Sequence, residues 1–493
     1  MKETVAVVGT GTMGAGIAQV AALAGHRVLL LDTAPGAADR AVFGIREQVG
    51  RLAARGRVDA DPDALALTPV DGVGALADAR IVIEAIVEDL DAKRRLIAEL
   101  EPVVAPDCLL ASNTSSLSPT ALAAGAERPE RILGLHFFNP VPRMRLVEVV
   151  AGADTRAEVL DRAADLVTAW GKTPVRSAPT PGFIVNRIAR PYYAEAWRLC
   201  EEQAAAPEVV DAVLTGAGGF PMGPFALMDL IGHDVNEAVT RSVWSAFAHD
   251  RRFEPSQAQR ALVEAGRLGR KSGRGVYRYG RDAPVPQACG APPEPAPLEV
   301  TDHGAVALGT LLSRASVPVL GGERGDGTVE LPGGALLVRG TGVTATALAV
   351  EHGAPVVVVD RTLDDATATA IAIAPSDSCP ADAVAAATGL LQAAGLTVHV
   401  IDDTPGLIVT RTVAMLVNLA ADALQHGVAT AADIDAAMRL GAGHPLGPLA
   451  WGDRWGAGTV HSVLTALQDA YGDPRYRPSP LLRRRALSGR SLA

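Results

Sequence analysis

His136 and Glu148 are the two side chains of this sequence best suited to carry proton transfer together. His136 ends an apolar strand pattern, and histidine is the side chain whose unperturbed pKa best matches proton transfer near neutral pH. Glu148 interrupts a second apolar strand pattern, where an ionised carboxylate is costly without a partner. A carboxylate bound to one ring nitrogen fixes the histidine tautomer and raises its basicity. A structural role for His136, and pairing of Glu148 with Arg143 or Arg145, remain open alternatives.

Small polar side chains follow another buried-strand pattern, in the run Ser112-Asn113-Thr114-Ser115-Ser116. Ligands of open α/β sheets bind at the carboxyl ends of the strands. Hydroxyl and amide groups at such a position suit a nicotinamide and a substrate oxygen. The alternative is a polar loop that caps a helix beginning after Pro119.

The elements that must position this chemistry begin with a glycine turn between a strand pattern and a helix pattern, Gly9-Thr10-Gly11-Thr12-Met13-Gly14. Gly9 permits the tight turn, Gly11 lets the backbone approach a pyrophosphate, and Gly14 lets the helix pack against the strand. Asp32 ends the next strand pattern, where an acid binds the adenosine ribose hydroxyls and disfavours a 2′-phosphate. The motif predicts binding of NAD; the alternative is a glycine turn in an ordinary βαβ unit.

The composition limits the classes of partner. The chain has 493 residues and a net charge of −10, which argues against nucleic acid or an anionic membrane surface. Its four cysteines show neither metal-ligand nor Cys-x-x-Cys spacing, which favours a reducing, cytoplasmic location and no metal. We expect no signal peptide before the first strand pattern, and no apolar run approaches the roughly 20 residues of a membrane span.

Local sequence patterns divide the chain into predicted domains. Residues 1–180 alternate strand and helix patterns, which predicts a doubly wound, mostly parallel α/β sheet of the Rossmann type. Residues 181–280 carry long helical patterns and predict an all-α domain. Residues 281–298 contain six prolines and predict an extended linker.

The helical domain occurs twice in the sequence. Thr180–Arg187, with the sequence TPGFIVNR, recurs later in the chain as TPGLIVTR at Thr404–Arg411. Pro221–Pro224 recurs with the same offset at Pro445–Pro448. Residues 404–493 are therefore predicted to form a second all-α domain.

Residues 299–403 resemble part of the first domain. A strand pattern leads into a Gly-x-Gly-x-x-Ala turn at Gly340–Ala345, and the next strand pattern ends at Asp360. The segment is too short for a whole copy, and no counterpart of the later strands of the first domain is visible. The sequence predicts a degenerate, structural Rossmann-like domain, with a second working nucleotide site as the alternative.

In this order and spacing, the motifs resemble those of the NAD-dependent L-3-hydroxyacyl-CoA dehydrogenase family. Four signatures within residues 1–280 carry the resemblance: Ser112–Ser116, His136–Pro140, Pro181–Arg187 and Pro221–Pro224. The resemblance implies four catalytic-site residues: Ser115, His136, Glu148 and Asn186. Beyond the glycine turn, it implies cofactor contacts by Asp32, Glu88, Lys93, Asn113 and Lys271. It implies coenzyme A contacts by Gln48, where the family usually has serine, Arg55 and Ser115.

The implied reaction is oxidation of an L-3-hydroxyacyl-CoA to the 3-oxoacyl-CoA, with His136 as the base and Glu148 as its orienting partner. Arg190–Tyr193 and Gly218–Pro224 look like the bacterial phenylacetate-catabolic branch of the family, which implies 3-hydroxyadipyl-CoA as substrate. The other expected substrate is 3-hydroxybutyryl-CoA, in fatty-acid catabolism. The alternative function is that of a catalytically silent relative that binds NAD or acyl-CoA.

The second helical copy departs from the family pattern. Thr410 stands where the first copy has Asn186, and no Lys-Ser-Gly-x-Gly-x-Tyr segment follows, so we expect no second active site. The resemblance implies that the helical domain is a dimerisation surface in two-domain members of the family. Residues 405–493 are therefore expected to pack against residues 181–280 as an internal pseudo-dimer, which leaves a homo-oligomer open.

Overall fold

The computed structural model of the chain describes residues 2–280, 283–284 and 287–493. Strands and helices alternate through the first part of the chain. They are β1 (Thr4–Val8), α1 (Thr12–Leu23), β2 (Arg27–Leu31), α2 (Ala37–Ala53), β3 (Leu67–Val70), β4 (Ile81–Glu84), α3 (Leu90–Leu100), β5 (Leu109–Ser112), α4 (Pro119–Leu122), β6 (Ile132–Phe137), β7 (Leu146–Ala151), α5 (Ala157–Ala169), β8 (Thr173–Ser177) and α6 (Val185–Ile188).

The eight strands form one sheet in the order β3-β2-β1-β4-β5-β6-β7-β8. Neighbouring strands are parallel except for β6 and β7, which run antiparallel. Apolar clusters cover both faces, with α1, α2 and α5 on one and α3 and α4 on the other. Burial on both faces explains why the parallel strands are continuous apolar runs. The predicted doubly wound Rossmann sheet is confirmed, and its strand order reverses between β1 and β4, where such sheets bind ligands.

An all-α region follows the first sheet. Its helices are α7 (Arg190–Glu201), α8 (Pro207–Gly216), α9 (Pro224–Ile231), α10 (His233–Ala246) and α11 (Gln257–Glu264). Proline in the first turn and glycine after the last residue bound α9, as expected for a helix that starts at Pro224 and stops before Gly232, whose φ is 104°.

A second, smaller sheet comes between the two helical regions in the sequence. Its elements are β9 (Val300–Asp302), α12 (Gly309–Ala315), β10 (Val319–Gly321), β11 (Val329–Glu330), β12 (Leu336–Arg339), α13 (Ala345–His352), β13 (Val356–Val359), β14 (Ala370–Pro375), α14 (Ala381–Ala393) and β15 (Thr397–Val400). The strand order is β10-β9-β11-β12-β13-β14-β15, with parallel and antiparallel neighbours. A Rossmann-like segment is confirmed.

The expectation that this segment lacks counterparts of the later strands is wrong. At the offset that relates Thr180 to Thr404, the first residues of β6, β7 and β8 coincide with those of β13, β14 and β15. Helices α5 and α14 correspond in the same way. β13 and β14 are antiparallel and β14 and β15 parallel, as are β6 and β7 and then β7 and β8. The strand that ends at Asp360 therefore corresponds to β6, and not to the strand that ends at Asp32.

The second helical region repeats the first. It contains α15 (Val409–Gln425), α16 (Ala431–Gly441), α17 (Pro448–Trp455), α18 (Ala457–Tyr471) and α19 (Pro480–Ser488). At the same offset, α9 and α17 coincide at both ends, and α10 and α18 coincide at their first residues. The helix-rich second copy expected from the sequence repeat is confirmed.

By proximity of Cα atoms, the chain forms two compact units: residues 1–187 with 423–442, and residues 188–422 with 443–493. Helix α16 of the second copy thus belongs to the unit of the first sheet, where it packs against β7 and β8. In the described part of the chain, no helix has the length and apolar character needed to cross a membrane.

Two predicted regions include residues outside the described part of the chain. Met1, the first residue of the predicted Rossmann domain, is one of them. In the predicted linker 281–298, residues 281–282 and 285–286 also lie outside it. The described linker residues form neither helix nor strand, and Ala291 N donates a hydrogen bond to the carbonyl of Val398 on β15 (2.7 Å).

Candidate active site

His136 and Glu148 are brought together by the antiparallel pairing of β6 and β7, where they stand directly opposite each other. Opposite residues of an antiparallel pair point to the same face of the sheet. His136 Nδ1 lies 2.6 Å from Glu148 Oε2, and both side chains are buried. Glu148 therefore pairs with His136 and not with Arg143 or Arg145.

The other oxygen of Glu148 ties a second candidate residue to the pair. Glu148 Oε1 accepts hydrogen bonds from the backbone N–H groups of Ile184 and Val185, each at 3.0 Å. These groups lie at the start of α6, which carries Asn186. The side chain of Asn186 is half-buried, and it makes no hydrogen bond within the described residues. One carboxylate thus fixes both the imidazole and the helix that presents Asn186.

Two phenylalanine rings enclose the imidazole of His136. The ring of Phe138 lies 4.4 Å from it and the ring of Phe183 lies 5.8 Å from it, measured between centroids. Phe183 has a φ of 47°, which is strained for a bulky side chain. Sequence reasoning quoted both phenylalanines within motifs but gave them no role, and their proximity to the histidine was the missing information.

The run Ser112–Ser116 follows β5 and reaches toward the end of β6. Asn113 Oδ1 accepts a hydrogen bond from the backbone N–H of Phe137 at 2.9 Å, next to His136. The amide nitrogen of Asn113 and the hydroxyl of Ser115 have no partner within the described residues. Both groups therefore keep hydrogen-bonding capacity for a ligand.

Glu88 organises this run. Its Oε1 accepts hydrogen bonds from the hydroxyl of Thr114 at 2.6 Å, the backbone N–H of Ser115 at 3.1 Å, and both the N–H and the hydroxyl of Ser116. Burial acts to raise the pKa of Glu88, but the hydroxyl of Thr114 and the charge of Lys93 outweigh it and hold the pKa below its usual value.

Lys93 is buried in an ion pair that sequence reasoning missed. Its Nζ donates to both carboxylate oxygens of Glu84, at 2.8 and 2.9 Å, and lies 3.4 Å from Glu88. Glu84 also accepts a hydrogen bond from the hydroxyl of Ser112. The only sequence signal for Glu84 was that it is an acidic residue in an otherwise apolar strand pattern, as Glu148 is.

The glycine turn fits a dinucleotide. A Cβ on Gly14 would lie 1.8 Å from the carbonyl oxygen of Gly9, whereas a Cβ on Gly11 would meet no atom within 4 Å. The start of α1 has no side-chain cap, so its N–H groups are available to phosphates. Thr12 is exposed and Met13 half-buried in this first turn.

Asp32 closes the turn from the end of β2. Its Oδ2 accepts hydrogen bonds from the backbone N–H of Thr10 at 2.7 Å and from the Thr10 hydroxyl at 2.9 Å. Burial acts to raise the pKa of Asp32, but these bonds and one from Ala34 outweigh it and lower the pKa. Asp32 is therefore an ionised carboxylate beside the glycine turn, as binding of a ribose diol requires.

The remaining predicted ligand contacts, Gln48, Arg55 and Lys271, do not lie in one cluster of residues. Gln48, on α2, lines a cavity of about 590 Å³ with Arg57, Arg143 and Arg145. Arg55 is exposed beyond the end of α2 and is not part of that lining. Lys271 belongs to the other unit, where its Nζ lies 2.6 Å from an oxygen of Asp234.

The glycine turn of the second sheet differs from the first at two places: the N–H groups at the start of the helix, and the acidic residue at the end of the following strand. The first N–H groups of α13, on Ala345 and Thr346, donate to the carboxylate of Asp403 at 2.7 Å each. Asp360 is fully buried, and its carboxylate accepts hydrogen bonds from the N–H groups of three successive residues, Ile408, Val409 and Thr410. These contacts favour the structural interpretation of this segment over a second nucleotide site.

Comparison with family models assigns the chain. The model of the 3-hydroxyacyl-CoA dehydrogenase NAD binding domain matches residues 4–179, and that of the C-terminal domain matches residues 182–279 and 406–491. The chain belongs to the 3-hydroxyacyl-CoA dehydrogenase family. It is an NAD-dependent oxidoreductase. The model of the 3-hydroxybutyryl-CoA dehydrogenase reduced Rossmann-fold domain matches residues 337–405.

Some similar proteins align with nearly the whole chain, and others align with little more than half of it. The 3-hydroxyadipyl-CoA dehydrogenase of Escherichia coli (strain K12) is 49% identical over 98% of both chains. The crystal structure of 3-hydroxybutyryl-CoA dehydrogenase from Escherichia coli K12 matches with a TM-score of 0.91 and 48% identity, over 99% of both chains. The mitochondrial hydroxyacyl-coenzyme A dehydrogenase of Sus scrofa is 40% identical over 90% of its own length and 56% of this chain. The resemblance predicted from the motifs is confirmed.

Proposed function

We propose that the chain oxidises the 3-hydroxyl group of an L-3-hydroxyacyl-CoA with His136 as the general base and Glu148 as its orienting partner. The 2.6 Å contact between His136 Nδ1 and Glu148 Oε2 carries the proposal. The carboxylate accepts a hydrogen bond from the Nδ1–H group of the ring, which leaves the lone pair of Nε2 free to take the hydroxyl proton. Glu148 then stabilises the imidazolium that forms.

The other residues of the site bind and orient. NAD, when bound at the glycine turn, supplies the acceptor for the hydride that leaves C3 of the substrate. Asn113 keeps an amide donor for the cofactor, and Glu88 holds the loop that contains both Asn113 and Ser115. Ser115 and Asn186, whose side chains lack partners in the described part of the chain, hydrogen-bond the reacting oxygen or the thioester carbonyl.

We propose 3-hydroxyadipyl-CoA as the substrate, in phenylacetate catabolism, with 3-hydroxybutyryl-CoA and fatty-acid catabolism as the second candidate. The similarity to the 3-hydroxyadipyl-CoA dehydrogenase of Escherichia coli, 49% over nearly the whole of both chains, supports the first choice. A catalytically silent relative is the alternative function. The presence of His136, Glu148, Ser115 and Asn186 together counts against it.

The test is NADH formation from both thioesters with the purified full-length chain. We expect kcat/KM to be at least about tenfold higher for 3-hydroxyadipyl-CoA, which corresponds to about 1.4 kcal/mol of transition-state binding. Removal of CoA from the substrate should abolish turnover. Folded protein that binds NAD but forms no NADH with any 3-hydroxyacyl-CoA would establish the silent alternative.

For coenzyme A, we propose contacts by Gln48 and Arg55. The cavity that Gln48 shares with Arg57, Arg143 and Arg145 supports a nearby phosphate site, because these arginines have no carboxylate partner in the described residues. Arg55→Ala should raise KM for the thioester and leave KM for NAD unchanged. The reverse pattern would move Arg55 to the cofactor site.

We also propose that residues 405–493 are the covalent counterpart of residues 181–280, as an internal pseudo-dimer. A reciprocal hydrogen bond supports it: Asp402 N donates to Ala204 O at 3.1 Å. The equivalent residues of the other copy exchange the same bond, from Ala178 N to Val428 O at 2.7 Å. Such exchange is the property of an isologous interface between two copies.

A buried ion cluster between the copies supports the same proposal. Arg411, fully buried in the second copy, donates to Glu195 and Glu202 of the first, both at 3.0 Å. Tyr476 hydroxyl donates to Glu195 at 3.0 Å. We expect a fragment that ends at residue 290 to aggregate or to dimerise, because this surface would lose its cover. A fragment that stays a fully active monomer would refute the pseudo-dimer.

For the domain organisation, we propose boundaries near residues 180, 280, 298 and 403. The family models support three of them, with matched ranges that end at residues 179, 279 and 405, and the boundary near residue 298 rests on the proline-rich sequence before it. We also propose a cytoplasmic location, which the four free cysteines support. Disulfide-bonded protein isolated from cells would contradict that location.

A further inference from the structure

Helix α16, from the second helical copy, ends beside the catalytic pair. Its last residue, Gly441, is enclosed by three side chains from residues 1–187. A Cβ on Gly441 would lie 2.4 Å from Leu146 Cδ2, 3.0 Å from Val185 Cγ2 and 3.6 Å from Phe138 Cε1. All of these residues belong to one compact unit.

Each neighbour of Gly441 adjoins His136 or Glu148. Leu146 stands two residues before Glu148 on β7, so the two side chains share one face of the strand. The backbone N–H of Val185 donates to Glu148 Oε1. The ring of Phe138 lies 4.4 Å from that of His136. A shift of any of these neighbours would therefore be transmitted to the pair.

The backbone does not require glycine at position 441. Gly441 is the last residue of α16 and has no left-handed φ. Alanine is favoured over glycine in helices by about 1 kcal/mol. In the first copy, the equivalent residue is Ala217. Position 441 therefore differs from position 217 in the space available for a side chain, and not in backbone conformation.

We propose that Gly441 is a positioning residue for the reaction, so that the second half of the chain completes the catalytic unit. Its missing side chain leaves the room in which Leu146, Val185 and Phe138 hold the His136–Glu148 pair. The proposal rests on the proposed role of His136 as base. It assigns to the second helical copy a part in positioning the base, beyond its expected role as a support.

The test compares Gly441→Ala with Gly458→Ala in the full-length chain. Gly458 is an exposed helical glycine in α18, and a Cβ there would meet nothing within 4 Å. We expect Gly441→Ala to lower kcat between about tenfold and about a hundredfold, as small displacements of catalytic groups do. KM for NAD should stay within about twofold, and the pH dependence of kcat/KM should change. Gly458→Ala should match the wild type in all of these.

A second substitution separates positioning from folding. Leu146→Val removes the atom closest to the new methyl group, so Gly441→Ala with Leu146→Val should recover most of the lost kcat. The proposal is overturned by a Gly441→Ala variant with wild-type kcat and pH profile. It is also overturned by a folded double variant that stays slow while Leu146→Val alone is active. Loss of the wild-type activity itself would instead refute the proposed function.

Discussion

The two copies of the Thr-Pro-Gly segment, Thr180–Arg187 and Thr404–Arg411, have nearly the same backbone and differ in two of eight side chains: Phe183 and Asn186 in the first copy are Leu407 and Thr410 in the second. The glycines have φ angles of 72° and 74° at Gly182 and Gly406. The residues that follow, Phe183 and Leu407, share a φ of 47°. Both segments then enter a helix. The strained turn is thus a property of the repeated fold, since it persists in the copy that has Asp360 and Thr410 where the first copy has His136 and Asn186.

A buried carboxylate holds the start of the helix in both copies. One of its oxygens accepts two successive backbone N–H groups: Glu148 from Ile184 and Val185, Asp360 from Ile408 and Val409. The two carboxylates do not occupy equivalent positions, however. When the copies are aligned on their Thr-Pro-Gly segments, Asp360 corresponds to His136, and Ala372 corresponds to Glu148.

The difference separates what the fold needs from what the reaction needs. The fold needs a carboxylate at the helix start, because each buried N–H group without an acceptor costs about 1–3 kcal/mol. The proposed reaction needs an imidazole whose second nitrogen is free for substrate. The first copy satisfies both with two residues on neighbouring strands. The second copy satisfies the first requirement with a shorter acid on the strand that would carry the histidine.

Replacement of His136 by glutamine removes the imidazole that distinguishes the first copy, and it should have the largest effect on kcat. We expect kcat to fall by about two to four orders of magnitude, because general base catalysis typically contributes that much. NAD binding, measured by fluorescence titration, should persist because the glycine turn and Asp32 are unchanged. A variant that keeps more than about a tenth of the wild-type kcat would exclude His136 as the base.

Glu148→Gln tests whether Glu148 and His136 act as a unit. It should lose much of the same activity, since the tautomer and the imidazolium both lose their partner. The double variant should be no slower than His136→Gln alone, because residues that act as a unit give non-additive losses. Additive losses in kcat would show that the two residues act separately.

Asp360→Ala tests the structural side of the comparison. Three buried N–H groups, on Ile408, Val409 and Thr410, would lose their acceptor. We expect the free energy of unfolding to fall by about 3 kcal/mol or more, read from the shift of the denaturation midpoint. The kcat of the folded variant should stay within about twofold of wild type. A stable variant with strongly reduced kcat would mean that Asp360 serves catalysis.

Arg190→Met tests a further difference between the copies. Arg190 is buried, its guanidinium donates to the hydroxyl of Thr240 at 3.0 Å, and no described residue provides a carboxylate partner. The equivalent residue of the second copy is Ala414. A buried cation without a carboxylate partner is costly, and methionine fills a similar space without a charge. We therefore expect the free energy of unfolding of Arg190→Met to stay unchanged or to rise by about 1–2 kcal/mol, measured by denaturant titration. A fall of more than about 2 kcal/mol would show that the bond to Thr240 and the contact with the ring of Tyr193, 5.0 Å away, outweigh the cost of burying the charge.

The sequence predicted the contact between two polar residues that stand out in neighbouring apolar strand patterns. His136 and Glu148 were paired correctly because each ended or interrupted an apolar strand pattern. The ion pair of Glu84 and Lys93 was missed, because its partners lie on a strand and a helix with no shared motif. The equivalence of Asp360 and His136 was missed because the sequence pattern around Asp360 matched a different motif. An acid at the end of a strand also suggests a ribose contact, and the antiparallel pairing with β14, the burial of Asp360 and its backbone hydrogen bonds argue against that interpretation.

Phe183→Leu should have the smallest effect and is the sharpest test of the comparison. Leu407 shows that leucine fits this turn at the same φ, so the turn should form, and the melting temperature should fall by only a few degrees for the smaller buried side chain. The ring of Phe183 lies 5.8 Å from that of His136, and an aromatic contact contributes about 0.5–1.5 kcal/mol. We therefore expect kcat to fall about three- to tenfold, whereas Leu407→Phe should leave kcat unchanged. Wild-type kcat in Phe183→Leu would show that Glu148 and the ring of Phe138 orient the imidazole without the ring of Phe183.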